Sequence, residues 1–432
     1  MYTLFLIAIR NLIQNRKRTL LLGTAIAMVT TLLVMLSALF NGMQETMLRT
    51  STTLMTGHVN VAGFYKVTSG TAAPVVTKYA KLRDIVSKAT PDLKAVVVRG
   101  RGWGKVVSDT TSLQAALVGV DITNEVGFKD VVQVLTGSVD ALKDPHTALI
   151  FKAQAERLEV KVGDILTLSA PSFRGVTNTV DVKIVAIAKD LGFLSSFNVF
   201  LHHDAIRDLY QLDSAATGAI QVYLKDAEKA DEVAALLRKE VEKQGYRVMD
   251  KVAMPFFRKF DTVRREDWVG QKIDITTWID EMQFIRMVLT TLSWLIRILV
   301  GVLMVIIVIG VMNTLWMSIR ERTREIGTVR AIGMSWWRVM AMFVIEAALL
   351  SIAATVVGAV LATLLCAGMN AAQIVVAKQF QLFLMSDTLH LLVDGPTLAW
   401  SILIIVVGTT LGSLYPSWRA ANMRPVVAMQ AA

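Results

Sequence analysis

Four stretches of the chain, residues 19–44, 298–319, 347–377 and 395–418, contain no aspartate, glutamate, lysine or arginine. A bilayer core about 30 Å thick is crossed by roughly 20 apolar residues in a helix, so each stretch is long enough to span it. Buried helices of soluble proteins seldom sustain such a run beyond ~14 residues. The bulk composition agrees: 54% of the 432 residues are hydrophobic, and the mean hydropathy is +0.51. The pattern predicts four membrane-spanning helices in place of two or three soluble domains.

Charge gives these helices a direction. A net charge of +10 gathered on one soluble face would suit a nucleic-acid binder, but here it is distributed otherwise. Residues 1–18 hold Arg10, Arg16, Lys17 and Arg18 and no acid; residues 320–346 hold five arginines against three glutamates; the tail adds Arg419 and Arg424. Eight of the ten excess charges therefore flank apolar runs. This is the positive-inside pattern, and it predicts that both termini and the loop 320–338 face the cytoplasm. No nucleic-acid partner is implied. The first run resembles a signal peptide in its basic start, but it exceeds 20 residues and no A-x-A site follows, so it reads as a retained anchor. Before it, Phe5, Ile9, Leu12 and Ile13 share a helical face, suited to lying on lipid at the inner leaflet. Cys366 is the only cysteine, which excludes an intrachain disulfide.

Residues 45–285 differ in texture and are expected outside as a large α+β domain. Strand-like alternation occurs at 57–61, at several runs within 94–120, and at 148–151, 165–169, 180–187 and 219–224. Helical patterns occur at 82–89, 153–158 and 229–244, and a strand is expected at 246–249 to close a β-α-β piece. The reading is of two lobes: a membrane-proximal α+β lobe at about 45–95 and 218–285, and a β-rich lobe at about 96–217. Around this domain the expected boundaries are an interfacial helix at 1–18, a first span at 19–44, a stalk and second span at 286–319, an inner loop at 320–338, a third span at 339–377, an outer loop at 378–394, a fourth span at 395–416 and a tail at 417–432.

Two segments carry candidate partner chemistry. Residues 320–333 place Arg320, Arg322, Arg324 and Arg330 beside Glu321 and Glu325, with an apolar face expected from Ile326, Val329, Ala331 and Ile332 and a helix stop at Gly333. A short helix held between two spans can dock into a groove on a cytoplasmic partner, its charges pairing within the helix or across to that partner. In residues 254–272, Phe256, Phe257, Phe260 and Trp268 lie among Arg258, Lys259, Arg264, Arg265 and Lys272. Phe, Trp and Arg are enriched at interface hot spots, which makes Phe256, Phe257, Arg258, Phe260 and Trp268 a candidate partner-binding set. The alternative is a segment folded against the membrane-proximal lobe or lying on lipid headgroups. The five histidines, including the adjacent His202 and His203, show no metal-ligand spacing. No G-x-x-x-x-G-K-[ST] loop, G-x-S-x-G elbow or paired-carboxylate motif occurs. Neither a catalytic residue nor a cofactor site is expected.

The segment Glu321-Arg322-Thr-Arg-Glu325-Ile326-Gly327-Thr-Val-Arg330-Ala331-Ile332-Gly333 resembles the E-R-x-x-E-I-G-x-x-R-A-I-G block of the FtsX/MacB/LolC–LolE permease family, the type VII ABC transporters. Glu346 in the third span and the closing Tyr415-Pro416-Ser-Trp418-Arg419-…-Arg424-Pro425 resemble that family as well. Gly57-His58-Val59 and Ala155-Glu-Arg-Leu158 with Val162-Gly163-Asp164 resemble its lipoprotein-releasing branch, whereas 254–272 maps onto no family motif. The resemblance implies a non-catalytic permease working as a homodimer or heterodimer on a separate cytoplasmic ATPase dimer, which would bind ATP and Mg²⁺. The inner segment, Arg320 to Gly333, would take the push. The outer domain would act on a periplasmic client or carrier, first of all a lipoprotein. Alternatives within the family are a tripartite efflux permease and a regulator of cell-wall hydrolases.

Overall fold

The computed structural model describes residues 2–14, 16–68, 72–172, 176–377, 381 and 384–423. Lys378 and residues 424–432, with Arg424 and Pro425 of the closing motif, lie outside them. The chain divides into two units. One comprises residues 1–44, 289–375 and 388–432, the other residues 45–288 and 376–387.

The first unit is helical. Helix α1 (Tyr2–Gln14) is followed by α2 (Arg16–Ser51), whose last turn widens into a π-helical turn at Thr52–Thr56. Among the described residues, four helices are long and apolar enough to cross a membrane, the stretches Arg16–Thr56, Gln283–Glu321, Trp336–Ala371 and Gly395–Ala421. The first two, at 41 and 39 residues, reach about 60 Å at 1.5 Å per residue, twice a bilayer core. The helices thus extend past the uncharged runs at 19–44 and 298–319. The third run ends short of its expected limit: the helix stops at Ala371, and Gln373 takes φ +44. Leu22, Ile26, Leu33, Ile307, Val311, Leu315, Ala347, Ala354 and Ile405 form the shared interior. Close approach relies on small residues. A Cβ at Gly358 would lie 2.5 Å from the Ala27 carbonyl, and Thr31 donates to the Gly358 carbonyl at 3.0 Å. Buried Thr30, Thr355, Thr409 and Ser417 return their hydroxyl protons to carbonyls one turn back, so these four hydroxyls do not depend on lipid for a partner.

The second unit is built on ten strands: β1 (Val59–Lys66), β2 (Leu93–Val107), β3 (Ser112–Val120), β4 (Val134–Gly137), β5 (Thr147–Phe151), β6 (Ile165–Pro171), β7 (Thr177–Ala188), β8 (Asn198–His202), β9 (Ala219–Leu224) and β10 (Gly270–Thr277). They pair in the order β10-β1-β9-β2-β3-β8-β5-β7-β4, with β6 against β2 and β7. The pivotal strand is β2. Its first half, up to Arg99, pairs with β9, and its second half, from Gly100, pairs with β3 and then β6. One strand therefore belongs to two sheets, with the change falling between Arg99 and Gly100. Helices α3 (Tyr79–Ala89), α4 (Phe128–Val131), α5 (Lys152–Leu158), α6 (His203–Tyr210), α7 (Ala230–Lys243), α8 (Phe256–Arg265) and α9 (Trp278–Glu281) pack around them. Val233, Ala234, Leu237 and Val241 recur at helical spacing and press α7 on the β10-β1-β9 sheet, with Leu82 and Val86 of α3. Ile206 and Leu209 of α6 and Leu158 of α5 cover the other sheet.

One reading is corrected here. Residues 246–249 do not form a strand; they make one parallel bridge, Val248 to Ile273. Residues 254–272 fold against the membrane-proximal lobe, the alternative given for them: they contain α8 and the start of β10, which pairs with β1 along all eight of its residues. Each half of the segment is thereby committed to secondary structure.

Candidate coupling site

Helix α10 (Gln283–Glu321) continues through Arg322 into α11 (Thr323–Ala331), and α12 (Trp336–Ala371) follows. The last long helix is α13 (Gly395–Ala421). Gly333, at φ +104, closes the turn between α11 and α12, and Met334 N–H reaches back to the Val329 carbonyl at 3.1 Å. A glycine at the end of a helix adopts this conformation without the clash a Cβ would bring.

The four apolar residues of α11 do not share a face. At about 100° per residue, Ile332, the C-cap, lies roughly 120° round the axis from Ile326. Ile326 is 5% exposed and packs with Ile319, Val339, Phe343, Ala420 and Ala421, binding α11 to α10, α12 and α13. Gly327 is buried beside it, whereas Val329 is 38% and Ile332 82% exposed. Glu325, Thr328, Val329 and Ile332, at i, i+3, i+4 and i+7, make an exposed stripe on a helix whose other side is anchored. Among the described residues, Arg320, Arg324 and Glu325 have no ion pair. Arg330 is half-buried and caps the Met334 carbonyl at 3.4 Å.

Arg322 and Glu321 face inward contacts instead. Glu346 of α12, 3% exposed, lies 3.6 Å from Arg322 and 3.4 Å from Arg18 of α2, and accepts from Asn11 of α1 at 3.3 Å. The other Arg18 nitrogen reaches Glu321 at 3.4 Å. Four helices thus meet at one carboxylate, with a cavity of about 20 Å³ beside it. Glu346 is satisfied and serves packing. The sequence does not separate Arg18 from Arg16 and Lys17, because a basic cluster carries no mark of which member turns inward.

In the second unit, the candidate partner-binding set is mostly consumed by packing. Phe256 stacks on Phe64 at 4.7 Å, Phe260 leans on the same ring at 6.1 Å, and Trp268 is 8% exposed in that cluster. The Trp268 indole donates to Glu266 at 2.6 Å, with Lys66 and Lys272 over its ring at 5.0 and 4.8 Å. Lys259 and Asp274 form a buried ion pair at 2.9 Å. Only Phe257, 72% exposed, and Arg258 remain on the surface. His202, His203 and Asp204 cluster at the start of α6, where His202 caps the helix and Asp204 lies 3.2 Å from His203, an arrangement that satisfies α6 locally.

Residues 19–240, over half of the chain, match the MacB-like periplasmic core domain, and residues 297–425 match the FtsX-like permease C-terminal domain. With four candidate membrane helices and an α/β domain of this kind, the molecule is a permease of the type VII ABC class. The chain belongs to the FtsX/MacB family of ABC transporter permeases. An uncharacterized ABC transporter permease of Methanocaldococcus jannaschii is 23% identical over 226 residues, 51% of this chain and 48% of that one. The pyoverdine export ATP-binding/permease protein PvdT of Pseudomonas syringae pv. tomato is 32% identical over 32% of this chain and 19% of its own. The macrolide export protein MacB of Bordetella avium is 32% identical over 33% and 20%. The chain spans at most about half the length of these curated relatives. Among solved structures, the periplasmic region of MacB from Actinobacillus actinomycetemcomitans has a TM-score of 0.29 at 11% identity, covering 53% of this chain and 92% of that one. The candidate spans and the MacB-like domain point to an inner-membrane protein.

Proposed function

We propose that this chain is the membrane subunit of a mechanotransmitting ABC machine, in which a separate dimeric ATPase binds α11 and drives the domain of residues 45–288. The observation that carries this reading is the stripe Glu325, Thr328, Val329 and Ile332, exposed on a helix that Ile326 anchors on a neighbouring face. A helix clamped on one side and bare on the other suits a groove on a partner. ATP-driven closure of the partner would push α11, and α10, unbroken from Gln283 to Glu321, would carry the displacement outward. The arginine-rich ends favour an orientation with α11 in the cytoplasm and the large domain in the periplasm. Two permease copies, or one with a paralogue, would face the two ATPases.

Lipoprotein extraction is the first-choice work, from the likeness of Gly57-His58-Val59 and Val162-Gly163-Asp164 to the lipoprotein-releasing branch. Export of a small molecule is the second reading, favoured by relatives named for pyoverdine and macrolide export. Glu325→Lys reverses a charge in the stripe, and Gly333→Leu places a side chain at φ +104. Each variant should reach the membrane yet lose at least about tenfold in ATPase stimulation, if ~1.4 kcal/mol of docking energy is removed. Undiminished, client-stimulated hydrolysis by the reconstituted double variant rejects the docking role. A cysteine at Thr136 should react with an impermeant thiol reagent in spheroplasts and one at Thr328 should not. Protection at Thr136 rejects the orientation.

A further inference from the structure

The π-helical turn Thr52–Thr56 ends the first long helix: the Gly57 N–H closes on the Thr52 carbonyl at 2.8 Å, and the carbonyls of Thr53, Leu54 and Met55 lie in the last turn, where the helix itself runs out of donors. Side chains from the first sheet take them up. Tyr223 donates to the Thr52 and Thr53 carbonyls at 3.2 and 3.3 Å, and Gln221 to that of Met55 at 2.5 Å. Arg99, 0% exposed, donates to Leu54 and Thr53 at 2.6 and 2.7 Å and turns its remaining edge to Glu125, at 2.8 and 2.5 Å. A guanidinium at the carbonyl end of a helix is favoured by the helix dipole as well as by its counter-ion. Burial alone would weaken the Arg99 charge, but Glu125 and Tyr223 outweigh it and hold the group above its ordinary pKa.

Arg101, two residues on and therefore on the same face of β2, extends the network. It lies over the Phe256 ring at 5.1 Å and donates to Asn60 at 2.8 Å and to the Met55 carbonyl at 3.5 Å. Asn60 reaches Thr276 and Glu281 at 3.2 and 3.4 Å, and Glu281 accepts from Thr276 at 2.7 Å and from the Phe256 amide at 3.0 Å. Glu281 closes α9, two residues before α10 begins. Arg99 therefore holds the turn that ends α2 directly, and Arg101 reaches the approach to α10 through Asn60 and Phe256, at the point where β2 passes from one sheet to the other.

We propose that Arg99 and Arg101 are positioning residues for the mechanical stroke: they clamp the ends of both long helices to the crossover of β2, so that displacement of the helices changes the angle between the two sheets. This rests on the mechanotransmission reading above. A clamp with only a structural role would contribute to stability and leave the response to nucleotide unchanged. Losing Arg99 alone would strand the buried Glu125 carboxylate, whereas replacing both partners by apolar groups of similar size is often neutral.

The test uses the full chain with Cys366→Ala, co-expressed with its ATPase partner, and spin labels on cysteines at exposed Lys239, on the α7 side of the first sheet, and Thr136, on the edge strand of the second. In the parent, ATP with vanadate should shift the Lys239–Thr136 distance distribution from that with ADP. In Arg99→Met/Glu125→Met the shift should vanish while hydrolysis continues and the melting temperature stays within a few degrees. An undiminished shift in that variant overturns the joint and leaves the mechanical reading standing. A parent that shows no shift overturns both. Should the double variant fail to fold, Arg99→Lys keeps the ion pair but loses the fork. It should reduce the shift to roughly half or less, and a full shift overturns the proposal.

Discussion

Residues 254–272 and 320–333 both mix arginine with large apolar side chains, and the fold treats them in opposite ways. In the first, Phe256, Phe260 and Trp268 close around Phe64, and Lys259 is buried with Asp274. In the second, Ile326 is the one large apolar side chain that goes inward, while Val329 and Ile332 stay in the open on the side of Arg324, which has no ion pair among the described residues. Composition does not distinguish the two. The difference comes from what each segment is given to pack against. Strand β1 offers residues 254–272 a long edge and a ring to cover, whereas α11 is a nine-residue helix at the end of two long ones, with room for one anchoring side chain.

The largest effect expected from this contrast is at the buried ion pair. Lys259→Met should strand Asp274 and destabilise the domain of residues 45–288 by about 3–5 kcal/mol, and Lys259→Met/Asp274→Leu should recover most of that loss. Denaturant unfolding followed by tryptophan fluorescence measures both. A single-variant cost under ~1 kcal/mol would show that the pair is solvated. Next is the neighbouring pair of phenylalanines. Phe256→Ala removes the stack on Phe64 and should cost about 2–3 kcal/mol, whereas Phe257→Ala at the exposed position should stay within ~0.5 kcal/mol. Equal costs would erase the distinction between the two sides of α8. On the other segment, Gly333→Ala should cost about 1–2 kcal/mol locally, because φ +104 is strained for any residue with a Cβ. Hydrogen exchange in α11 should rise while that of the strands stays unchanged.

The smallest effect is a pH dependence. Burial, with Lys94 nearby, lowers the His58 pKa below the ordinary histidine value, and the Leu224 amide donating to Nδ1 at 3.0 Å suits the neutral ring. Above that ordinary value, about 6.5, the ring is neutral both folded and unfolded and the stability is complete. As the pH falls below it, the unfolded chain takes up a proton that the folded one resists, so stability declines until the depressed folded value is reached. Unfolding midpoints from pH 7.5 to 5 should therefore fall more steeply for the parent than for His58→Gln. Parallel slopes would mean that His58 titrates normally.

The sequence exposes the four long helices because a bilayer admits little else at that length without charge, and α7 because its apolar spacing is regular. It hides β10, whose alternation begins only after the Phe- and Arg-rich stretch, and it overstates 246–249, where one bridge at a sheet edge is too little for a strand. At the coupling site the arginines, glutamates and Gly333 are readable from their order, but the split of Ile326 from Val329 and Ile332 is set by which side of α11 the neighbouring helices cover, and no local pattern shows that. Arg99 and Arg101 sit in an unremarkable Arg-Gly-Arg-Gly strand, and their partners Leu54, Glu125 and Asn60 are far away in the chain, so no local pattern marks them.

The most direct test of the docking claim places a photo-cross-linking amino acid at Ile332, and in a parallel chain at Phe257, in membranes that contain the native partners. The account predicts an adduct from position 332 with a protein that carries a G-x-x-x-x-G-K-[ST] loop, and none with such a protein from position 257. A nucleotide-binding partner captured at Phe257, or absent from Ile332 while the complex is intact, would contradict it.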